Sequence, residues 1–333
     1  MSRRATIHDV AAAAGVSVAT VSKAVNGRYG VASTTVTRVL DAVAELGYES
    51  SLVASSMRSR RTGVIGVLVS DFEPFSAEVL KGVGAALRDH RYDLLAYSGS
   101  RDRDPAGWER RSLSRLSGTL IDAAIMVTPT IVGVPTDIPI VAVDPHAGRV
   151  GIPSVESDSL AGAFEATSYL IELGHRRIGF LAGRPELRSS ELREAGYRRA
   201  LSQAGIAFDP RLVAVGMYDP DTVRSVSRPL LQQADRPTAV FAANDRSALG
   251  LIEVATDLGL DVPGDLSVVG FDDIPEAFLS ARPLSTVRQP MMRLGAEAAR
   301  LVVALLGGTT PEVTQLILPT RLITRSTTAP PRR

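Results

Sequence analysis

Cysteine is absent from the 333 residues, which excludes disulfides, thiolate metal sites and cysteine nucleophiles together. No run of 18 uncharged apolar residues occurs, so nothing reads as a membrane span. The first ten residues, MSRRATIHDV, lack the apolar stretch of a signal peptide, and a cytoplasmic location is expected. There is no phosphate-binding glycine loop, no GxSxG elbow and no HExxH pair. The four histidines, His8, His90, His146 and His175, are scattered, and His175 reads as a turn residue leading into a strand. No cofactor and no metal are expected, and a catalytic function has no motif to carry it. Neither sign of charge dominates, for the net charge is +1. Its distribution is uneven, however. Residues 1–62 hold eight Lys/Arg against four Asp/Glu, whereas the rest of the chain is slightly acidic.

That basic excess coincides with the most informative stretch, Thr6 to Asn26, TIHDVAAAAGVSVATVSKAVN. Thr6 is a plausible N-cap for a helix whose Ile7, Val10, Ala11 and Ala14 recur at helical spacing. Gly15 supplies the left-handed residue that ends it. Ser17 caps a second helix that turns Val21 and Val25 inward. Two short helices with so tight a turn meet the helix-turn-helix description, with the second helix presented to the major groove of DNA. An ordinary helical hairpin in a core is the competing reading of these residues alone. A third helix is expected over Ser33–Leu46, with Val36, Val39, Leu40, Val43 and Leu46 as its apolar stripe and Gly47 at its end. Between the second and third helices lies the polar turn NGRYGVA. The segment from Glu49 to Thr62, ESSLVASSMRSRRT, is basic yet carries Leu52, Val53, Ser56 and Met57 at helical spacing. It reads either as a flexible linker or as a short conditional helix.

The order and spacing of these blocks, with ELGYE closing the third helix and LVASSMRSRRTGVIGVLV following, resembles the lactose-repressor/galactose-repressor family of bacterial transcription regulators. The resemblance implies a hinge helix that folds only on operator DNA, pairs with that of a dimer mate and wedges an apolar residue into the minor groove. The matching wedge is Met57, where the family usually has leucine, and Ser55 stands where an arginine is frequent. Arg58, Arg60 and Arg61 supply basic groups nearby. It also implies DNA contacts from Thr6, Ser17, Val18, Ala19, Thr20, Ser22, Lys23, Asn26, Arg28, Tyr29, Met57 and Arg58. Val18 and Ala19 suit thymine methyls, and Lys23 suits guanine or a phosphate.

From Gly63 onward, apolar runs alternate with helical patterns. GVIGVLV is continuous in the way of a parallel strand buried on both faces. Helices are expected near Ser76–His90, Trp108–Leu116, Leu160–Leu173, Glu191–Ala204, Asp221–Ala234, Ala248–Leu258 and Pro290–Leu306, with LILPTRLITRS as a final strand. The fold class is therefore α/β: an all-α helix-turn-helix head followed by two doubly wound α/β subdomains. The resemblance makes these periplasmic-binding-protein-like and joins them by three crossovers. The expected divisions are a head over 1–50, a hinge over 51–62, an effector domain over 63–326 and a tail over 327–333. Within the effector domain one subdomain takes 63–158 and 288–317, the other 159–287 and 318–326. The tail TTAPPRR has no leucine heptads, so a homodimer is expected rather than a tetramer.

Two such subdomains place a ligand cleft at the carboxyl ends of their strands. The polar and aromatic residues there are the candidates: Asp71, Phe72 and Phe75 after the first strand, Ser98 and Ser100 after the second, and Asp144 after IPIVAVD. The second series adds Asn244 and Asp245 after TAVFAAND and Asp272 in LSVVGFDD. Arg193 and Gln289 complete the set. Each reads alternatively as a helix cap or a turn. The resemblance favours effector contact for Arg193, Asn244 and Asp272, since an arginine with carboxylates suits vicinal hydroxyls. The resembled family's usual pattern after the first strand, DxxNPFF, is a residue longer than the DFEPFS found here. The implied function is a DNA-binding regulator, most simply a repressor, of a near-palindromic operator, controlled by a small-molecule effector, most simply a sugar. A protein corepressor or a purine-like ligand is the alternative. A helix-turn-helix fused to an enzyme lacks a catalytic motif, and a secreted sugar-binding protein would have no use for residues 1–62.

Overall fold

The computed structural model describes residues 5–25, 30–47, 61–99, 107–131, 135–146, 151–309 and 313–332. Residues 51–60 of the hinge expected over 51–62, the candidates Asn26, Arg28, Tyr29, Met57 and Arg58, and Ser100 lie outside the described residues. The chain forms two compact units, a small head and a body that begins at Gly63.

In the head, α1 (Ile7–Ala14), α2 (Val18–Val25) and α3 (Ser33–Leu46) enclose Val10, Ala11, Ala14, Val21, Ala24, Val39 and Ala42. Thr6 caps α1 in a capping box: the Asp9 amide donates to Thr6 Oγ1, and the Thr6 amide donates to Asp9 Oδ2 at 2.8 Å. Gly15, at φ 64°, closes the helix and lets the Val16 amide reach the Ala11 carbonyl at 3.0 Å. Ser17 Oγ accepts from the Thr20 amide at 3.1 Å and starts α2. One expectation needs correction. Leu40 and Leu46 of α3 are exposed, because Val39 and Ala42 set the buried stripe and Val36 and Val43 flank it.

The body holds two sheets of equal design. The first contains β1 (Val64–Val69), β2 (Asp93–Ser98), β3 (Ala123–Val127), β4 (Ile140–Val143), β5 (Ser154–Ser157) and β11 (Gln315–Leu318), all parallel, in the order β11-β5-β4-β3-β1-β2. The second contains β6 (Ile178–Ala182), β7 (Val213–Val215), β8 (Ala239–Ala242), β9 (Ser267–Asp272), β10 (Ser285–Arg288) and β12 (Arg321–Ile323), in the order β12-β10-β9-β8-β6-β7. Only β12 runs antiparallel, against β10. In chain order each lobe reads 2-1-3-4-5, the doubly wound arrangement whose switch point lies between the first and third strands. The helices are α4 (Pro74–Leu87), α5 (Trp108–Leu116), α6 (Ser159–Glu172), α7 (Arg188–Gln203), α8 (Pro220–Leu231), α9 (Asp245–Asp257), α10 (Pro275–Leu279) and α11 (Met291–Leu306). Their apolar faces pack on both sides of each sheet, and β1, β3, β4, β8 and β9 are buried along their whole length.

The chain passes between lobes after β5, between β10 and α11, and between β11 and β12. The expected final strand is thus two strands, one in each sheet, broken at Pro319 and Thr320. The expected tail also needs correction, for residues 327–332 belong to the second lobe. Thr327 is fully buried, accepts from the Ser285 amide at 2.9 Å and donates to the Val268 carbonyl at 2.7 Å. His175 bonds Thr238 Oγ1 through Nδ1 and the Ala329 carbonyl through Nε2, both at 2.9 Å.

The returning helix α11 packs on α4 through glycines: a Cβ on Gly82 would strike the Met292 backbone, and one on Gly295 would strike that of Val79. Gly84, also in α4, faces open space. Gly295→Ala should therefore cost ~1–3 kcal/mol by overpacking, read as a lower melting temperature. Gly84→Ala should be neutral or mildly stabilising. Equal effects would mean that the helices do not depend on this close approach.

Candidate functional site

On α2 the outward residues are Ala19 and Lys23, one helical turn apart, with Ser17 exposed at the start. Thr20 and Ser22 are half-buried, and Val18 packs partly against the head's core. The Ser17 and Thr20 hydroxyls lie 2.9 Å from each other and serve the cap. Thr6 is exposed, with its hydroxyl committed to Asp9 at 2.7 Å.

In the body a cleft of about 640 Å³ opens at the carboxyl ends of both sheets, at their switch points. Ser70 and Asp71 follow β1, Thr128 follows β3, and Asp144 follows β4. From the second lobe come Arg184 after β6, Asn244 after β8 and Asp272 at the end of β9. Asp71, Phe75, Asp144, Arg193, Asn244, Asp272 and Gln289, expected from strand ends and resemblance, line this one cavity. Three other candidates do not. Phe72 is 52% exposed outside the wall. Ser98 donates to the Ser70 carbonyl at 2.9 Å and so braces the loop after β1. Asp245 is fully buried, where its carboxyl accepts from Thr286 Oγ1 and, at 2.9 Å, from the Ile274 amide. Asn244 accepts from the Ser247 amide at 2.9 Å as the cap of α9.

Sequence reasoning passed over several cleft residues, among them Glu73, Trp108, His146, Arg184, Tyr218 and Arg246. Trp108 was legible only as the start of a helix, yet it is 2% exposed and closes one wall. The next residue, Glu109, is fully buried. Its Oε1 accepts from the Thr130 amide at 2.6 Å, the Thr130 hydroxyl at 2.8 Å and the Ile131 amide at 3.1 Å. Glu109 is thus a positioning residue that pins the loop after β3. A long polar contact, Ser189 Oγ to His146 Nδ1 at 3.4 Å, links the second lobe to the first.

Arg193 forms the floor. It is 4% exposed, donates from Nη1 to the Ala243 carbonyl at 2.6 Å and lies 3.9 Å from the Phe271 ring centroid. Asp272 Oδ1 is 3.7 Å from Nη1 and accepts from Gln289 Nε2 at 2.7 Å. Burial pushes the Asp144 carboxyl up to about 6 and that of Asp272 to about 7, outweighing the nearby guanidinium. Burial, aided by Arg193 and Arg184, pushes His146 down to about 4, so it is neutral at physiological pH. Arg193 Nε and Gln289 Oε1 are buried without a hydrogen-bond partner, a cost that a ligand's polar groups would relieve. Backbone strain gathers here too. Of the six described non-glycine residues with positive φ, Thr128, Asp144, Met217, Tyr218 and Asp272 line the cleft, and Asp273 adjoins it. Such conformations cost ~1–3 kcal/mol each and persist where the surroundings enforce them.

Comparison with known proteins agrees with this architecture. Residues 6–51 match the model of bacterial regulatory proteins of the lacI family, and residues 167–328 match a periplasmic binding protein-like domain. The chain is 32% identical to catabolite control protein A of Priestia megaterium over 97% of its own length and 99% of that protein's. It is 34% identical to the solved complex of the transcriptional regulator CelR with cellobiose, covering 97% of this chain and all of that one, with a TM-score of 0.72. The crystal structure of the lac repressor dimer bound to operator and an anti-inducer is 26% identical, with a TM-score of 0.86, over 98% of this chain and all of that one.

The floor carboxyls make stability depend on pH. Asp272 protonates more readily folded than unfolded, so its contribution is complete below the unfolded value near 4 and is lost as pH rises through about 7. His146 acts oppositely, but only between about 4 and 6.5. From pH 6.5 to 8, therefore, the ligand-free melting temperature should fall. Asp272→Asn, which keeps an acceptor for Gln289, should flatten that fall. Parallel curves for the two proteins would remove Asp272 as its source.

Proposed function

This chain belongs to the lacI family of bacterial regulatory proteins and is a DNA-binding transcription regulator, and we propose that it is a repressor whose operator affinity is set by a sugar bound between the two lobes of its body. The observation that carries the reading is the cleft floor. A buried guanidinium flanked by Asp144 and Asp272, with two unpartnered polar atoms and with Phe75 and Trp108 in the walls, suits a hydroxyl-bearing ring. Hydroxyls donate to carboxylates and accept from guanidinium, and the aromatic walls cover the apolar face of a sugar.

Two protomers pair through their bodies and carry their heads to the half-sites of a near-palindromic operator. Effector binding favours one lobe arrangement and changes operator affinity by its differential affinity for the two states, and by no more. The chain acts by binding and not by catalysis. Thr6, Ser17, Val18, Ala19, Thr20, Ser22 and Lys23 make the head's contacts, with Ala19 and Lys23 facing the groove and the capping residues facing the backbone.

Arg193→Met tests the cleft. It should abolish the response of operator binding to the effector, while affinity without effector stays within a few-fold, as measured by anisotropy of a labelled operator selected from random sequence. An unimpaired response would place the effector elsewhere. Lys23→Ala tests the head. If Lys23 reads a base, the selected half-site should relax at one position, with ~1–3 kcal/mol of lost discrimination. If it holds a phosphate, the salt slope should fall by about 1 with the sequence preference unchanged. Neither change would remove Lys23 from the interface.

A further inference from the structure

The charged groups of the cleft are sorted by lobe. Among the described residues, the first lobe contributes Asp71, Glu73 and Asp144 and no cation, since His146 is neutral there. The second contributes all three arginines, together with Glu186, Asp219 and Asp272. Among the described residues, six carboxyls therefore meet three guanidinium groups, and each guanidinium is already answered by an acid. Arg193 has Asp272 at 3.7 Å, and Arg184 Nε donates to Glu186 at 2.8 Å. Arg246 lies in the fields of Glu73 and Asp219.

We propose that the cleft takes only uncharged, unphosphorylated polyols, the acidic wall of the first lobe excluding sugar phosphates. The proposal rests on the sugar reading above and narrows it. A phosphoryl group brings a charge near −2 and needs donors that are not already neutralised. At the floor it would meet Asp144 and Asp272, and nearer the rim Asp71 and Glu73. At the floor, where Asp144 and Asp272 are each 8% exposed, this repulsion is poorly screened. A neutral polyol meets no such barrier. Its hydroxyls donate to the carboxyls of one wall and accept from the guanidinium groups of the other, and they reach the unpartnered Arg193 Nε and Gln289 Oε1.

Trp108, the single tryptophan, lines the cleft, so its fluorescence reports binding directly. The test titrates the full-length protein with matched pairs: glucose and glucose 6-phosphate, ribose and ribose 5-phosphate, trehalose and trehalose 6-phosphate, with cellobiose and hypoxanthine beside them. Every sugar that binds should do so at least a hundredfold more tightly than its phosphate, and a phosphate ester equal to or tighter than its parent overturns the proposal alone. Hypoxanthine binding with all sugars silent overturns the sugar reading and this inference with it. Should every organic ligand be silent, inorganic phosphate decides. Saturable thermal protection that Arg246→Ala or Arg184→Ala abolishes overturns the exclusion, and its absence upholds it. For any pair that discriminates, Glu73→Gln with Asp144→Asn should narrow the ratio at least tenfold. Glu73→Gln alone, at a half-buried position, serves if the double variant does not fold. An unchanged ratio would deny the wall its role.

Discussion

A guanidinium 4% exposed to solvent is tolerable only if its charge is met inside the protein, and the body is arranged around meeting it. Arg193 arrives from α7. It is received by the Ala243 carbonyl after β8, the ring of Phe271 in β9 and the carboxyl of Asp272 at the end of the same strand. The Asp144 carboxyl of the other lobe also feels its charge. One side chain thus ties three elements of one lobe and biases the position of the second. Asp272 in turn holds Gln289, which lies on the crossover between β10 and α11. A perturbation at the floor therefore acts directly on a segment that joins the lobes.

That arrangement explains why the strain and the orphaned polar atoms coincide. Doubly wound sheets are over-determined by their cores, where β1, β3, β4, β8 and β9 are buried on both faces, so left-handed residues and an unpartnered Nε can be enforced at their carboxyl ends. Glu109 pins the start of the loop after β3 with three accepted hydrogen bonds.

Much of this was legible in the sequence because buried parallel strands are continuous apolar runs and helices announce their caps. TAVFAAND and LSVVGFDD declare both a strand and the polar residue that ends it. The strand-end rule consequently gathered Asp71, Asp144, Asn244 and Asp272 into one cavity. It failed for Phe72 and Asp245, where direction matters: adjacent residues diverge after a strand, one toward the cleft and the other to solvent or core. Trp108, His146 and Tyr218 escaped because they sit on loops and helix starts whose approach to the cleft is set by tertiary packing. TTAPPRR reads as a loose tail by composition. Its Thr327 and Ala329 are nonetheless captured by Ser285, Val268 and His175, partners that only the folded sheet brings within reach.

The account stands on coupling between the cleft and the heads, and linkage makes that coupling measurable from the cleft side. Trp108 fluorescence gives the effector's affinity for the body, and the same titration can be run with and without saturating operator DNA. The prediction is a shift in the effector midpoint equal to the factor by which saturating effector shifts operator affinity. Superimposable titrations, with and without operator, would contradict the account, for the cleft would then bind its ligand without informing the DNA.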